Sequence, residues 1–189
     1  MGEHTEENLM KVWILDCDAD SFENLIISDE SFNNLLKTFN GEEKNDGWTP
    51  IPVRKMYGDR EFSNTPGFAP HIPVFDNKAV SELSCMLKNE AEILPLHSEN
   101  GTFYAINVTD VLDCIDYKES EYKTFRDGKR IMRFTKYSFI ESIIKKHNIF
   151  KIKDEPLKRP FVSDEFKNIV QSSGLISFKF ELAWDSENK

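Results

Sequence analysis

The sequence predicts an α+β fold in which a largely antiparallel sheet carries a few helices on one side. Two observations lead to this fold class. Segments of β-rich or alternating sequence follow one another along the chain, whereas only two segments combine helical periodicity with clear capping residues. Few helices therefore remain to connect parallel strands. Because the 189 residues contain no internal repeat and no low-complexity linker, we expect a single domain over residues 1–189.

The N-terminal part contains one clear strand and several less regular segments. KVWILDC, residues 11–17, is a short apolar run typical of a buried strand. WTPIPV, residues 48–53, alternates prolines with apolar residues. It fits an edge strand or an extended segment, because Pro50 and Pro52 have no backbone N–H to donate. Residues 58–73 are expected to form a long loop.

Capping residues mark the two main helices. Asp76 can cap one helix, and Ser163 or Asp164 can cap another that stops at Gly174. The inward positions predicted from helical spacing are Ala79, Val80, Leu83, Met86 and Leu87 in the first helix and Phe166, Ile169 and Val170 in the second. Residues 140–147 are expected to add about two helical turns.

The remaining strands lie in the C-terminal half. Residues 93–108 contain two β-rich runs around Asn100 and Gly101, a pair suited to a type I′ hairpin turn. Residues 130–139 and 149–153 are predicted to be further strands. The chain then ends in strict alternation, which predicts a strand with one buried face. The residues of that face are Ile176, Phe178, Phe180, Leu182 and Trp184.

The formal net charge of −9 is unevenly distributed. Residues 1–46 hold 12 acids and 3 bases, whereas the rest of the chain balances at 21 of each. A second acidic block, residues 89–122, precedes a basic block, residues 123–160, with 12 bases against 4 acids. Because nucleic-acid binding requires basic groups to neutralise phosphates, we expect no nucleic-acid ligand. An acidic surface instead attracts a basic partner.

The composition favours a soluble cytoplasmic protein. No apolar run approaches the roughly 20 residues of a membrane span, and the acidic N-terminus lacks the basic start and apolar run of a secretory signal. Cys17, Cys85 and Cys114 are odd in number and widely spaced in apolar surroundings, as expected for buried reduced thiols.

The metal-binding motifs in the sequence are incomplete. Asp16, Asp18 and Asp20 match the first three ligand positions of a calcium-binding EF-hand loop, but Ser21 and Ile27 stand where that loop requires Gly and Glu. These acids are therefore expected to form a solvated turn. The four histidines lie far apart, and no cysteine pair has the spacing of metal ligands. We expect no metal and no cofactor.

Catalysis remains an alternative hypothesis. The loop of residues 58–73, with His71, could line the cleft of an uncharacterised enzyme, and Cys85 or Cys114 could pair with His97 as a nucleophile. Neither cysteine lies in a recognisable nucleophile motif, so a buried thiol is favoured and no catalytic residue is assigned. A further alternative is a structural or regulatory module that binds another basic protein.

Four acids recur every three residues in VTDVLDCIDYKES, which begins at residue 108. A helical or turn-like conformation would place them on one face. Such a ridge is usually a solvated surface, and it is also a candidate for partner binding. The candidate partner-binding residues of both acidic segments are Asp16, Asp18, Asp20, Asp110, Asp113, Asp116 and Glu119.

Short motifs in a fixed order extend along nearly the whole chain. They are FNG, WTPIPV, GD at 58–59, PVF, ILPL, FYAINVTDVLDCIDYKES, IFKI, FVSDEFKNIV and GLISFKFELAW. In this order and spacing, the sequence resembles immunity family eleven of the bacterial polymorphic-toxin systems. It departs from the family pattern in two loops, at residues 60–62 and 91–93.

The resemblance implies a non-catalytic immunity protein that binds and neutralises a cognate toxin encoded by the adjacent gene. The toxins of such systems include nucleases, which are basic because they hold phosphates. An acidic inhibitor would associate with such a toxin faster through electrostatic steering. The resulting hypothesis is that the acidic surfaces of residues 16–30 and 110–121 cover a basic surface of the toxin.

Overall fold

The computed structural model describes residues 9–188, so the N-terminal segment used to argue against a secretory signal lies outside the described residues. The strands are β1 (Lys11–Cys17), β2 (Leu25–Ile27), β3 (Val53–Lys55), β4 (Val74–Asp76), β5 (Ala91–Pro95), β6 (Phe103–Val108), β7 (Val111–Leu112), β8 (Glu121–Thr124), β9 (Ile131–Lys136), β10 (Ile149–Ile152), β11 (Phe161–Ser163) and β12 (Phe178–Asp185). The α-helices are α1 (Asn33–Leu36), α2 (Asn77–Leu87), α3 (Glu141–Ile144) and α4 (Asp164–Ser172). No helix among these residues is long and apolar enough to cross a membrane.

The predicted α+β class is confirmed, although the strands form four sheets rather than one. The central sheet has the order β12-β1-β11-β10-β7, and smaller sheets have the orders β4-β6-β5, β2-β3 and β8-β9. Within the described strands, only β7 and β10 pair in parallel. The predicted strand over residues 11–17 is β1, which occupies the interior of the central sheet.

Both faces of the central sheet are covered, because successive residues of a strand point to opposite sides. Trp13 and Leu15 of β1 face a first core cluster that includes the inward sides of α2 and α4. Val12 and Ile14 face a second cluster, rich in aromatic rings, to which α3 contributes Ile144. The two longer helices therefore share one face of the sheet, as predicted, whereas the short α3 packs on the other. A third cluster joins β2-β3 to β4-β6-β5.

The predicted helix caps are confirmed. The Asp76 carboxylate accepts a hydrogen bond from the backbone N–H of Ala79 at 2.8 Å, and the Ser163 hydroxyl accepts one from Phe166 at 3.2 Å. Gly174 follows α4 with φ of 64°, the left-handed conformation that ends a helix. The predicted helix at 140–147 is shorter than expected, because α3 has only four residues before the chain turns into β10.

The β5–β6 hairpin is confirmed, but its predicted type I′ turn is wrong. That turn requires positive φ at both central residues, and only Gly101 of the pair has it. Seven residues separate the two strands. The loop is wider because the backbone of His97 leaves the hairpin and hydrogen-bonds to Ile51 and Val53.

The predicted single buried face of the last strand is also wrong. A β-bulge shifts the register, so that Trp13 lies opposite Leu182 and Val12 lies opposite Trp184. Trp184 therefore enters the second cluster, on the other side of the sheet from Phe178 and Phe180 in the first. Two residues of the predicted face are exposed, Ile176 by 50% and Leu182 by 47%.

The cysteines are all free, but they are not uniformly buried as predicted. Cys114 is buried and Cys17 is half-buried, whereas Cys85 is exposed. Cys85 lies on α2 between the inward positions Leu83 and Met86, where it faces solvent. Apolar sequence neighbours on a helix therefore do not by themselves imply burial, since they lie on a different face.

Candidate partner-binding site

The first acidic segment lies where β1 ends and the chain turns towards β2. Asp16 forms an ion pair with the Arg159 guanidinium, and Asp18 accepts a hydrogen bond from Lys179 Nζ at 2.9 Å. The bond from Lys179 holds the pKa of Asp18 below its usual range. Asp20 is exposed. Asp16 and Asp18 thus have separate partners. No group of three or more acidic, His or Cys side chains in residues 9–188 could hold a metal ion.

The second acidic segment is not a helix, and the predicted helical alignment of its acids is wrong. Val111 and Leu112 form β7 and pair with β10, and Ile115 bridges to Phe139. Only the end of the segment is turn-like, where the Ser120 N–H bonds to the carbonyl oxygen of Asp116. Pairing with a distant strand overrides the local three-residue period.

Two acids of this segment contact side chains from the basic block. Asp110 Oδ2 lies 2.5 Å from His147 Nδ1, and Asp113 forms an exposed ion pair of 3.0 Å with Lys153. The Asp116 carboxylate accepts from the backbone N–H of Lys118 at 3.0 Å. Glu119 is exposed. The two oppositely charged blocks of the sequence are therefore neighbours in the fold.

The arrangement needed for the catalytic alternative is not present in the described residues. A cleft of about 550 Å³ opens beside the first acidic segment, lined mainly by apolar groups of β1, β2 and the loop after residue 64. Asp16 is its only carboxylate, and that group is paired with Arg159. His71 does not line the cleft. Its Nε2 lies 2.8 Å from the carbonyl oxygen of Leu36, and burial lowers its pKa.

The thiol alternative also lacks a geometry that would activate a nucleophile. Burial raises the pKa of Cys114 to about 12 and that of Cys17 to about 11, so both remain protonated near neutral pH. No hydrogen bond joins Cys85 or Cys114 to His97 in the described part of the chain.

Several acids counted in the charged blocks point inward, which the sequence does not reveal. Glu23 is fully buried, and its carboxylate accepts from the backbone N–H groups of Asn24, Met56, Tyr57 and Gly58. Glu90 accepts from two backbone groups at the start of β10, and buried Glu92 from two in the loop before residue 46. These three carboxylates fix loops and strands, so they present little charge to a partner.

A second surface that sequence reasoning did not assign is the ribbon formed by β8 and β9, residues 121–136. Its two strands pair only with each other among the described strands. At its base, Ser120 and Ser138 exchange hydrogen bonds, with the Ser138 N–H donating to Ser120 Oγ at 2.9 Å. Phe134 anchors the ribbon in the second cluster. Its signals in the sequence were the excess of bases after residue 122 and the predicted strand over residues 130–139, which contains β9.

A comparison with protein-family models finds a match in the C-terminal half of the chain. Residues 93–185 match the model of Imm11, an immunity protein family. The comparison with curated proteins finds no match. The matched region contains the second acidic segment and the ribbon, and β1 from outside it completes the sheet by pairing with β11 and β12. The family resemblance is thus confirmed over residues 93–185, where the chain is similar to the Imm11 immunity proteins.

Proposed function

We propose that this protein is a non-catalytic immunity protein that binds a cognate toxin and neutralises it in the cytoplasm. The observation that carries the proposal is the Imm11 match, which spans the chain from β5 to β12. The separate placement of His71, the thiols and the carboxylates supports a binding role. The toxin is proposed to be the product of the adjacent gene and to have a basic surface, as a nuclease would.

The acidic segments are proposed to steer this toxin. Asp20, Asp113 and Glu119 are exposed, so their charge reaches solvent. Asp16 and Asp18 are only partly exposed and are paired with bases, and Glu23 is buried, so they contribute less to the field than the sequence count implies. Asp113 is also paired, with Lys153, but both side chains of that pair are exposed. The proposed interface therefore depends most on the exposed Asp113 and Glu119, with the half-buried Asp116 between them, together with Asp20.

Binding of the toxin from the adjacent gene tests the function. We expect a nanomolar or tighter complex that forms without added metal, together with restored growth of cells that co-express the toxin and this protein. If no complex forms and growth is not restored, the proposed function is wrong.

The role of the second acidic segment is tested by the double variant Asp113→Lys and Asp116→Lys. We expect the association rate at low salt to fall about tenfold, with a smaller dependence on ionic strength, because steering depends on these charges. The matched control is Glu43→Lys with Asp46→Lys, which changes the net charge equally at exposed positions outside both segments. Equal association rates for the two variants would remove residues 113 and 116 from the interface.

A further inference from the structure

We infer that the ribbon, residues 121–136, is a second docking surface that binds an acidic patch on the same toxin. This inference rests on the proposed function and names the partner chemistry of a surface opposite in sign to the acidic segments. Three features of the ribbon support it: unpaired positive charge, like charges placed side by side, and exposed aromatic side chains.

The ribbon carries six bases and two acids, a net charge of +4. One base, Arg130, is paired with Asp127 at 2.7 Å and also lies over the Phe125 ring. The other five have no ion pair among residues 9–188, and they are Lys123, Arg126, Lys129, Arg133 and Lys136. All five are exposed. The positive charge is therefore free to attract an anionic group.

Two of these bases are directly opposite each other. Lys123 of β8 is the register partner of Arg133 of β9, and like charges at such positions destabilise a strand pair. A carboxylate of a bound partner, placed between the two, would convert this repulsion into two favourable contacts. The arrangement costs stability in the free protein and is explained by an anionic ligand.

Aromatic and apolar side chains lie exposed beside these bases. Tyr117, Tyr122, Phe125 and Met132 are each at least 40% exposed, and the rings of Tyr117 and Tyr122 meet edge to face at 6.1 Å. A shallow cavity with a volume of about 620 Å³ lies between these rings and Arg130. Tyrosine, phenylalanine, methionine and arginine are the residues enriched where proteins bind one another.

Charge complementarity favours an acidic protein patch over a nucleic acid. With +4 on the ribbon, the rest of the chain carries −13. This net negative charge would repel a nucleic acid that extends beyond the ribbon, and it would act less on a protein patch of the ribbon's own size. Aromatic rings between bases also stack on single-stranded bases, so a nucleic acid is the outcome that the test must separate.

The test compares two double charge reversals with equal net charge. Lys123→Glu with Arg133→Glu alters the ribbon, and Lys145→Glu with Lys146→Glu alters exposed bases next to α3. We expect the ribbon variant to bind the toxin at least about tenfold more weakly and the control to bind within about twofold of the wild type. Phe125→Ala, which removes an exposed ring without changing charge, should also weaken binding. Circular dichroism and thermal melts verify that each variant is folded.

The outcomes separate the inference from the proposed function. If the wild type does not bind the toxin, the proposed function and the inference both fail. If it binds and the ribbon variants match the control, only the inference fails. A fluorescent 20-nucleotide oligo-dT is the nucleic-acid probe. Should the ribbon reversal abolish oligo-dT binding while toxin affinity stays unchanged, the acidic patch is the wrong partner.

Discussion

Glu23, Glu90 and Glu92 hold their carboxylates against backbone N–H groups rather than against water. Glu23 has the most such donors, and several donors can replace the hydration of a charged carboxylate. Burial raises the pKa of Glu23. The four N–H donors, from Tyr57, Gly58, Asn24 and Met56, together lower the pKa by more than burial raises it, so the net shift is downward. The carboxylate therefore joins the start of β2 to the loop after β3.

Glu23→Gln is expected to lower the free energy of unfolding by about 2 kcal/mol or more at pH 7, because the amide replaces a charged acceptor with a neutral one and a donor. Urea unfolding measures the change, with exposed Glu99→Gln as the control. Since the folded-state pKa is depressed, the contribution of Glu23 is present above its ordinary pKa of 4.5 and is lost as pH falls through the folded-state value. Equal stability of both variants would contradict the role of this carboxylate.

Lys151 is the opposite case, a buried cation with one polar contact. Its side chain is 1% exposed, and Nζ donates to the carbonyl oxygen of Phe39 at 2.7 Å. Burial, with a smaller contribution from Lys44, lowers its pKa from 10.5 to about 8. Burying the protonated amine therefore lowers the stability of the fold, and deprotonation removes this destabilisation.

Lys151→Met is expected to remove a rise in stability with pH. Between about pH 8 and 10.5 the unfolded wild type binds more protons than the folded protein, so its free energy of unfolding increases by roughly 3 kcal/mol at most. The methionine variant has no amine to titrate, so its free energy of unfolding lacks this pH-dependent increase. The difference between the two proteins, measured by urea unfolding at several pH values, cancels the titration of cysteines and tyrosines. A difference that does not change with pH would contradict the prediction.

At the scale of an element, β12 shows how one extra residue changes the face of a strand. The alternation of its sequence predicts one buried side, but the bulge sends Trp184 to the aromatic cluster and leaves Leu182 at the surface. Trp184 packs edge to face against Phe139 at 6.0 Å. The two side chains, equivalent in the sequence pattern, are therefore expected to differ strongly in their contribution to stability.

Trp184→Ala is expected to cost about 3 to 5 kcal/mol, because it leaves a cavity in the second cluster. Leu182→Ser should change the free energy of unfolding by less than about 0.5 kcal/mol, since surface substitutions away from special features have small effects. Chemical denaturation of both variants checks the pair. Similar losses would show that Leu182 is buried and that the strand has no bulge.

Local signals predicted the elements whose geometry is set within a few residues. The caps at Asp76 and Ser163 and the stop at Gly174 all follow from hydrogen bonds or backbone angles inside one turn. The conformation of residues 110–119 could not be predicted in this way, because Val111 and Leu112 are held by β10, about 40 residues later. The role of the candidate acids stays a prediction, and the bases that contact Asp16, Asp18 and Asp113 come from distant segments.

At the scale of the whole molecule, the fold places charges that the sequence separates. The acidic and basic blocks meet at Asp110 and His147 and at Asp113 and Lys153. Arg159 and Lys179 likewise partner acids of the first segment. The net charge of −9 therefore overstates the field at these pairs, while the ribbon projects a local positive charge. A partner would meet both signs in a fixed arrangement, which favours one orientation of docking.

The closed base of the ribbon has a consequence for how specificity can change. Because Ser120 and Ser138 are joined directly, the residues between them form an excursion whose length and side chains are largely independent of the central sheet. We therefore expect the excursion to tolerate replacement by another sequence as long as Phe134 keeps its place in the second cluster. If the ribbon contacts the toxin as proposed, a change of its side chains would alter the choice of partner without rebuilding the core.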